Sequence, residues 1–158
     1  MPFIIKQPNE EKLKQLAKLY KQGFKKHNIF SKDDKFILNY LKKPTKMLAA
    51  MAEDESEVVG GICLFENKQT EDHSVWNFKH IAVKIGYQKQ GVGASLMQEA
   101  EAYAKPGDKI EIKVSENEKA ALKFYEKFGY VVEGKLSNHY RKDEVCYVLG
   151  KTVWRRIK

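Results

Sequence analysis

The sequence predicts a single α/β domain, spanning 1–158, in which a mixed, mostly antiparallel sheet of about six or seven strands carries helices on both faces. Three observations predict it. Apolar segments at 46–52 and 58–65 flank the acidic turn Glu53-Asp54-Glu55-Ser56-Glu57, and a second such pair lies near 130–134 and 144–151. Hairpins of this kind give antiparallel strands. Between them, strand, helix and strand patterns succeed one another over 74–114, the order of a parallel β-α-β crossover. Two amphipathic helix patterns precede the first hairpin.

Each element has a local cause. Asn9 caps the first helix, with Glu10 and Glu11 at the positive end of its dipole. Leu13, Leu16, Ala17 and Tyr20 follow at helical spacing as far as Gly23. Ser31-Lys32-Asp33-Asp34 opens a second helix, with Phe36, Ile37, Tyr40 and Leu41 on one face and Pro44 at its end. Residues 67–73 read as a polar loop, and 74–83 are rich in strand formers. The glycine-bearing loop 84–93 leads into a helix with Val92, Leu96, Ala100 and Tyr103 on one stripe, broken at Pro106-Gly107-Asp108. Ile110, Ile112 and Val114 alternate with Glu111 and Lys113, as in a half-buried strand. A helix over 117–128 stops at Gly129. The order is ααββ-β-α-β-α-ββ, without repeat or linker.

Composition narrows the partners. With 42% hydrophobic and 32% charged residues, a chain of 158 can bury a core, which excludes a disordered protein. No apolar run approaches the roughly 18 residues that span a bilayer, and the first residues lack the pattern of a leader peptide, so no membrane partner is expected. Cys63 and Cys146 lie in apolar runs and read as reduced core thiols of a cytoplasmic protein. A net charge of +8 favours anionic partners, a phosphate-rich cofactor among them. The lysines are spread along the chain without a dense basic run, so a nucleic-acid partner is not expected. The His and Cys residues show no ligand spacing, and no metal is expected. A homodimer is left open.

Gln88-Lys89-Gln90-Gly91-Val92-Gly93 joins a strand to a helix. At such a junction the first backbone N–H groups of the helix lack intrahelical partners and its dipole adds positive charge. Glycines 91 and 93 let a ligand approach the backbone, and Lys89 adds a formal charge, so the loop predicts an anion site of diphosphate size. Two other phosphate loops are excluded. The dinucleotide fingerprint needs a third glycine where Leu96 stands, and a Walker loop needs Gly-Lys-Ser/Thr.

The loop does not stand alone. Val83, then Tyr87-Gln88-x-x-Gly91-x-Gly93, a helix, a strand and Ala121-x-x-Phe124-Tyr125-x-x-x-Gly129-Tyr130 together resemble the pattern of the GNAT N-acetyltransferases, over about 74–151. The resemblance implies the GNAT fold with splayed central strands, and transfer of an acetyl group from acetyl-coenzyme A to an amine. It implies that the backbone of Ile81, Ala82 and Val83 pairs with the pantetheine arm. The backbone of Gln88, Lys89, Gln90, Gly91, Val92, Gly93 and Ala94 would hold the pyrophosphate. Tyr125 matches the family's general acid. A phenol with a reference pKa near 10 keeps its proton at neutral pH and can return it to a thiolate whose thiol pKa is about 8.5. The same tyrosine also suits an ordinary core position.

Two positions depart from the pattern. Where the family often has Asn, seven residues before the tyrosine, this chain has Glu118, with Asn117 one residue earlier as the cofactor-binding candidate. Where many members carry a basic Glu on the strand before the loop, Asn77 stands, which takes no proton usefully. Glu111 on the next strand is the candidate base, with His80 and His139 as others. Each of them also reads as an ordinary surface or core group.

Asn138-His139-Tyr140 and Asp143-Glu144-Val145-Cys146-Tyr147-Val148-Leu149 are similar to the last hairpin of the ribosomal-protein and protein N-terminal acetyltransferases. That likeness implies that His139 and Tyr140 contact the acceptor. The expected acceptor is a peptide or protein amine, the N-terminal α-amine ahead of lysine, because an α-amine titrates near about 7.7–8.0 and a lysine near about 10.4. A small polyamine-type acceptor is the alternative. A non-catalytic module that binds coenzyme A or nucleic acid is the other class, and Tyr125 beside an intact loop argues against it.

Overall fold

The computed structural model describes residues 3–24 and 27–154. Its elements run β1 (Phe3–Lys6), α1 (Glu10–Gly23), α2 (Asp34–Tyr40), β2 (Lys46–Ala52), β3 (Val58–Thr70), β4 (His73–Val83), α3 (Val92–Glu101), β5 (Lys109–Ser115), α4 (Lys119–Lys127), β6 (Val131–Ser137) and β7 (Val145–Thr152). Seven strands form one sheet in the order β1-β2-β3-β4-β5-β7-β6. β4 and β5 pair in parallel, and the crossover through α3 joins them, as the sequence predicts. The chain divides into two compact units, Met1–Glu66 with Phe78–Tyr103, and Asn67–Asn77 with Ala104–Lys158.

In the first unit, β2 and β3 pair antiparallel across the acidic turn, and β1 adds to the outer side of β2. Asn9 caps α1 by accepting from the Lys12 N–H at 2.9 Å, and Asp33 caps α2 through the Phe36 N–H at 2.8 Å. Val58–Leu64 is buried throughout, which a strand covered on both faces requires. Two adjacent glycines show how close the cover lies. A Cβ at Gly61 would stand 2.6 Å from Leu16 Cδ1 of α1. A Cβ at Gly60 would stand 2.8 Å from the Ala82 carbonyl oxygen and 3.2 Å from Val92 and Leu96 of α3. Successive residues of a strand face opposite ways, so α1 and α3 lie on opposite faces of β3. Leu16, Tyr20, Phe30, Ile37, Met47 and Met51 centre one core on the α1 face.

In the second unit, β7 lies between β5 and β6, antiparallel to both. The parallel ladder of β4 with β5 pairs Val75, Trp76 and Asn77 with Lys109, Ile110 and Glu111. Asp108 ties that ladder to the turn before β5. Its carboxylate accepts from the Ser74 N–H (2.9 Å), the Trp76 indole N–H (3.1 Å) and the Lys105 N–H (2.9 Å). Gly129, at φ 91°, closes α4 with N–H groups of Gly129 and Tyr130 returning to Glu126 and Tyr125.

The structure differs from the sequence expectation in three places. β1 was not expected, because four residues carry no readable period. The polar segment 67–73 is strand except for a two-residue turn at Glu71-Asp72; both strands are solvated there, and solvated strands have loop-like composition. Phe36 is 46% exposed, so the buried side of α2 is carried by Ile37, with Leu41 just beyond the helix.

Candidate active site

The loop before α3 takes its shape from left-handed residues. Gly86 (φ 98°), Lys89 (φ 62°) and Gly91 (φ 85°) turn the chain three times within six residues. Gln90 Nε2 donates to the Gly86 carbonyl at 3.0 Å, and Gln88 Nε2 to the Val83 carbonyl at 3.4 Å. These two glutamines therefore shape the loop from within. Gly91 is the N-cap of α3 and offers no side chain to it, so the leading amides at Val92, Gly93 and Ala94 have no side-chain cap. Val92 is buried in the core and roots the first turn of α3 there. Gln90 Oε1 is buried without a hydrogen-bond partner. Uncapped helix amides and three left-handed residues in one loop fit the pyrophosphate of acetyl-coenzyme A.

A brace that sequence reasoning missed holds this loop. Lys84 Nζ pairs with the Glu57 carboxylate, and the Tyr87 hydroxyl donates to Glu57 Oε2 at 3.2 Å. The hydrogen bond from Lys84 holds the Glu57 carboxyl below its ordinary range. The Lys84 N–H also donates to the Val59 carbonyl at 2.8 Å. The only signal in the sequence was the Tyr87-Gln88 step of the motif, since Glu57 read as one more acid of a solvated turn.

Ile81, Ala82 and Val83 are half-buried at the end of β4. His80, immediately before them, hydrogen-bonds through Nε2 with the Tyr40 hydroxyl at 2.8 Å. Burial, reinforced by the charges of His27 and Lys79, pushes its imidazole down to about 3. At neutral pH the ring is uncharged and a poor proton acceptor, which weighs against His80 as the base.

In the second unit, Tyr125 is buried in α4, edge-on to Phe124 (5.4 Å) and Tyr130 (6.2 Å). Burial, and then the Glu118 carboxylate, raise its phenol well above the ordinary value, so the ring keeps its proton. Glu118 accepts from the Ser115 N–H at 3.3 Å. Asn117 donates from Nδ2 to Glu144 Oε2 at 3.1 Å, which turns its amide toward the hairpin. Glu144 is 8% exposed and also accepts from Arg141 at 3.2 Å; a carboxylate so buried needs these donors.

Glu111 stands opposite Asn77 in the parallel ladder, so the two side chains share a face. Its carboxylate pairs with Lys109 at 3.3 Å, and Lys109 also pairs with Glu133. Glu133, and with it Glu111, hold the Lys109 ammonium above its ordinary range against the effect of burial. His139 and Tyr140 lie in the β6–β7 turn, rings 4.5 Å apart at 70°, and Tyr140 is 50% exposed. The turn is pinned by the Asn138 N–H on the Glu144 carbonyl and by the Asp143 N–H on Asn138 Oδ1, at 2.9 and 2.6 Å.

The two units thus divide the candidates. The phosphate loop, Ile81–Val83 and His80 lie in the first, and Tyr125, Asn117, Glu111, His139 and Tyr140 in the second. Cys63 and Cys146 are both buried free thiols. Among the described residues no group of three or more His, Cys, Asp or Glu side chains is placed to hold a metal, and no helix is long and apolar enough to cross a membrane.

The family model for the acetyltransferase (GNAT) family matches residues 13–130, and the chain belongs to that family. A curated relative, the probable N-acetyltransferase san of Drosophila melanogaster, is 29% identical over 148 residues, covering 90% of this chain and 77% of that protein. Arabidopsis thaliana Naa50, solved with the bisubstrate analogue CoA-Ac-MVNAL, superposes with a TM-score of 0.77 at 21% identity, covering 96% of this chain and 99% of that one. A chimera of spermidine N-acetyltransferase SpeG from Vibrio cholerae and hSSAT gives 0.77 at 13% identity, covering 96% of each chain. The fold is the GNAT fold, and the chain is an acetyl-coenzyme A-dependent N-acetyltransferase with acetyl-coenzyme A as co-substrate.

Proposed function

We propose that the chain works as one cytoplasmic N-acetyltransferase domain that acetylates a protein or peptide amine, the N-terminal α-amine ahead of lysine. The observation that carries this reading is the β6–β7 turn. It presents an exposed aromatic pair, His139 and Tyr140, on a hairpin anchored at its base by Glu144 to Asn117. A rigid turn with exposed rings suits an extended peptide better than a small polycation. The solved Naa50 carries a peptide-like analogue, which supports the same reading. The spermidine enzyme of comparable TM-score supports the second one, a small-molecule amine.

Acetyl-coenzyme A, when bound, supplies an activated acetyl thioester. The uncapped amides at Val92, Gly93 and Ala94, with Lys89, would hold its pyrophosphate. Backbone groups of Ile81, Ala82 and Val83 would align its arm, and an N–H near Val83 would polarise the thioester carbonyl. Tyr125, kept neutral by burial, would return a proton to the leaving sulfur. Glu111, beside Asn77, is the candidate acceptor of the amine proton, relayed through water. A lower-pKa α-amine asks less of such a base than lysine does.

The test is thiol release from acetyl-coenzyme A with peptides bearing free α-amines, peptides bearing only lysine amines, and polyamines. Robust acetylation of spermidine with none of any peptide would establish the small-amine reading instead.

A further inference from the structure

β4 changes character at one residue. From Ser74 to Lys79 its residues alternate between more and less buried, and from His80 onward Ile81, Ala82 and Val83 are uniformly half-buried. His80 has a φ of 58°, a left-handed conformation that a residue with a side chain keeps inside a strand only when its surroundings hold it there. The surroundings are on α2, on the segment before it and at the end of α1, where Tyr20 and Phe24 each stand edge-on to the imidazole at 6.3 Å. Tyr40, the last residue of α2, shares the 2.8 Å hydrogen bond with His80 Nε2. Phe30 and His27 meet the imidazole edge-on at 4.9 and 5.1 Å. A glycine would reach this φ without help but would be held by nothing; a histidine reaches it against strain and is gripped by its ring.

We propose that Tyr40 and His80 are a positioning pair. Their hydrogen bond holds the left-handed turn of β4 and so sets the direction of the backbone groups of Ile81–Val83. In the function proposed above, on which this inference rests, those groups receive the pantetheine arm. Neither side chain touches a reacting atom in this role; both act through the strand. The pair ties the acetyl-donor side of the reaction to α2, an element that the motif does not include.

The experiment compares two ligands on the full chain by calorimetry: coenzyme A, and phosphoadenosine diphosphate, its nucleotide end without the pantetheine arm. Tyr40→Phe removes one hydroxyl. It is expected to weaken coenzyme A about fivefold to tenfold, in line with the loss of one hydrogen bond, while the nucleotide end changes by less than about twofold. In steady state the KM for acetyl-coenzyme A should rise and that for the acceptor should not. His80→Asn, which tolerates a left-handed φ and offers a polar atom, should recover part of what His80→Val loses. Unchanged coenzyme A affinity in Tyr40→Phe, or equal weakening of both ligands, overturns the positioning role. If Tyr40→Phe does not fold, His80→Asn against His80→Val decides by the same two ligands. Wild-type protein that binds neither ligand overturns the proposed function itself, a different result from either.

Discussion

Asn77 and Glu111 are register partners in the parallel ladder of β4 with β5, and their side chains emerge on the same face of the sheet. The family's usual basic Glu is absent from β4, and a carboxylate stands one strand away, held by Lys109. Glu111→Gln is expected to lower kcat by about tenfold to a hundredfold and to leave the KM for acetyl-coenzyme A unchanged. Unchanged turnover, with chemistry limiting the rate, would reduce Glu111 to a partner of Lys109.

Tyr125→Phe should lower kcat by about ten- to a hundredfold with little change in coenzyme A affinity, since only a proton-bearing hydroxyl is lost. Because burial and Glu118 raise the phenol, the wild-type alkaline limb should not come from Tyr125. Turnover that is unchanged while chemistry limits the rate would make the residue a packing group.

Gly91 has room for a side chain but a φ of 85°. Gly91→Ala is therefore expected to cost about 1 kcal/mol of stability through strain alone. Gly91→Glu should abolish acetyl-coenzyme A binding, because it adds an anion where a pyrophosphate is to sit. Near-normal affinity in folded Gly91→Glu, measured by calorimetry, would move the phosphate site elsewhere.

Asp108 predicts a pH dependence of stability. Burial opposes its ionisation, but hydrogen bonds from Lys105, Ser74 and Trp76 outweigh burial and hold the carboxyl below the usual range. A group depressed in the folded state stabilises above its unfolded pKa of about 3.9, and that contribution fades as pH falls through the folded value. Asp108→Ala should cost about 1–3 kcal/mol at pH 7, with three donors, two of them buried, losing their acceptor. The gap from wild type should narrow below about pH 4, read by urea unfolding at both values.

Tyr140→Ala should raise the KM of a peptide acceptor severalfold and leave that of acetyl-coenzyme A unchanged. Equal effects on both would remove the hairpin from acceptor binding.

The crossover was legible because its periods switch cleanly: Ile110, Ile112 and Val114 alternate, while Val92, Leu96 and Ala100 recur every four residues. The strand-to-helix loop before α3 was legible because glycines announce its left-handed turns. What was hidden depends on contacts far apart in the chain. Nothing near Asp108 shows that it will meet Trp76, and nothing near Glu57 shows that it will brace Lys84 and Tyr87. The φ of His80 could not be read at all, because histidine in a run of strand formers is ordinary and its partners Tyr40, Phe30 and His27 lie forty or more residues earlier in the chain. The placement of β7 between β5 and β6 is likewise a matter of docking, to which both hairpin strands look alike.

The two glycines of β3 have a consequence for mutational tolerance. Sliding the strand by a single residue would bring Val59 or Ile62 into spaces where even a methyl group meets Leu16 or the Ala82 carbonyl. β3 can therefore be threaded in one way only. A library that randomises this strand should recover glycine at 60 and 61 among its active members. A methyl at 60 should register first as weakened coenzyme A binding, since the atom it strikes is the backbone of Ala82.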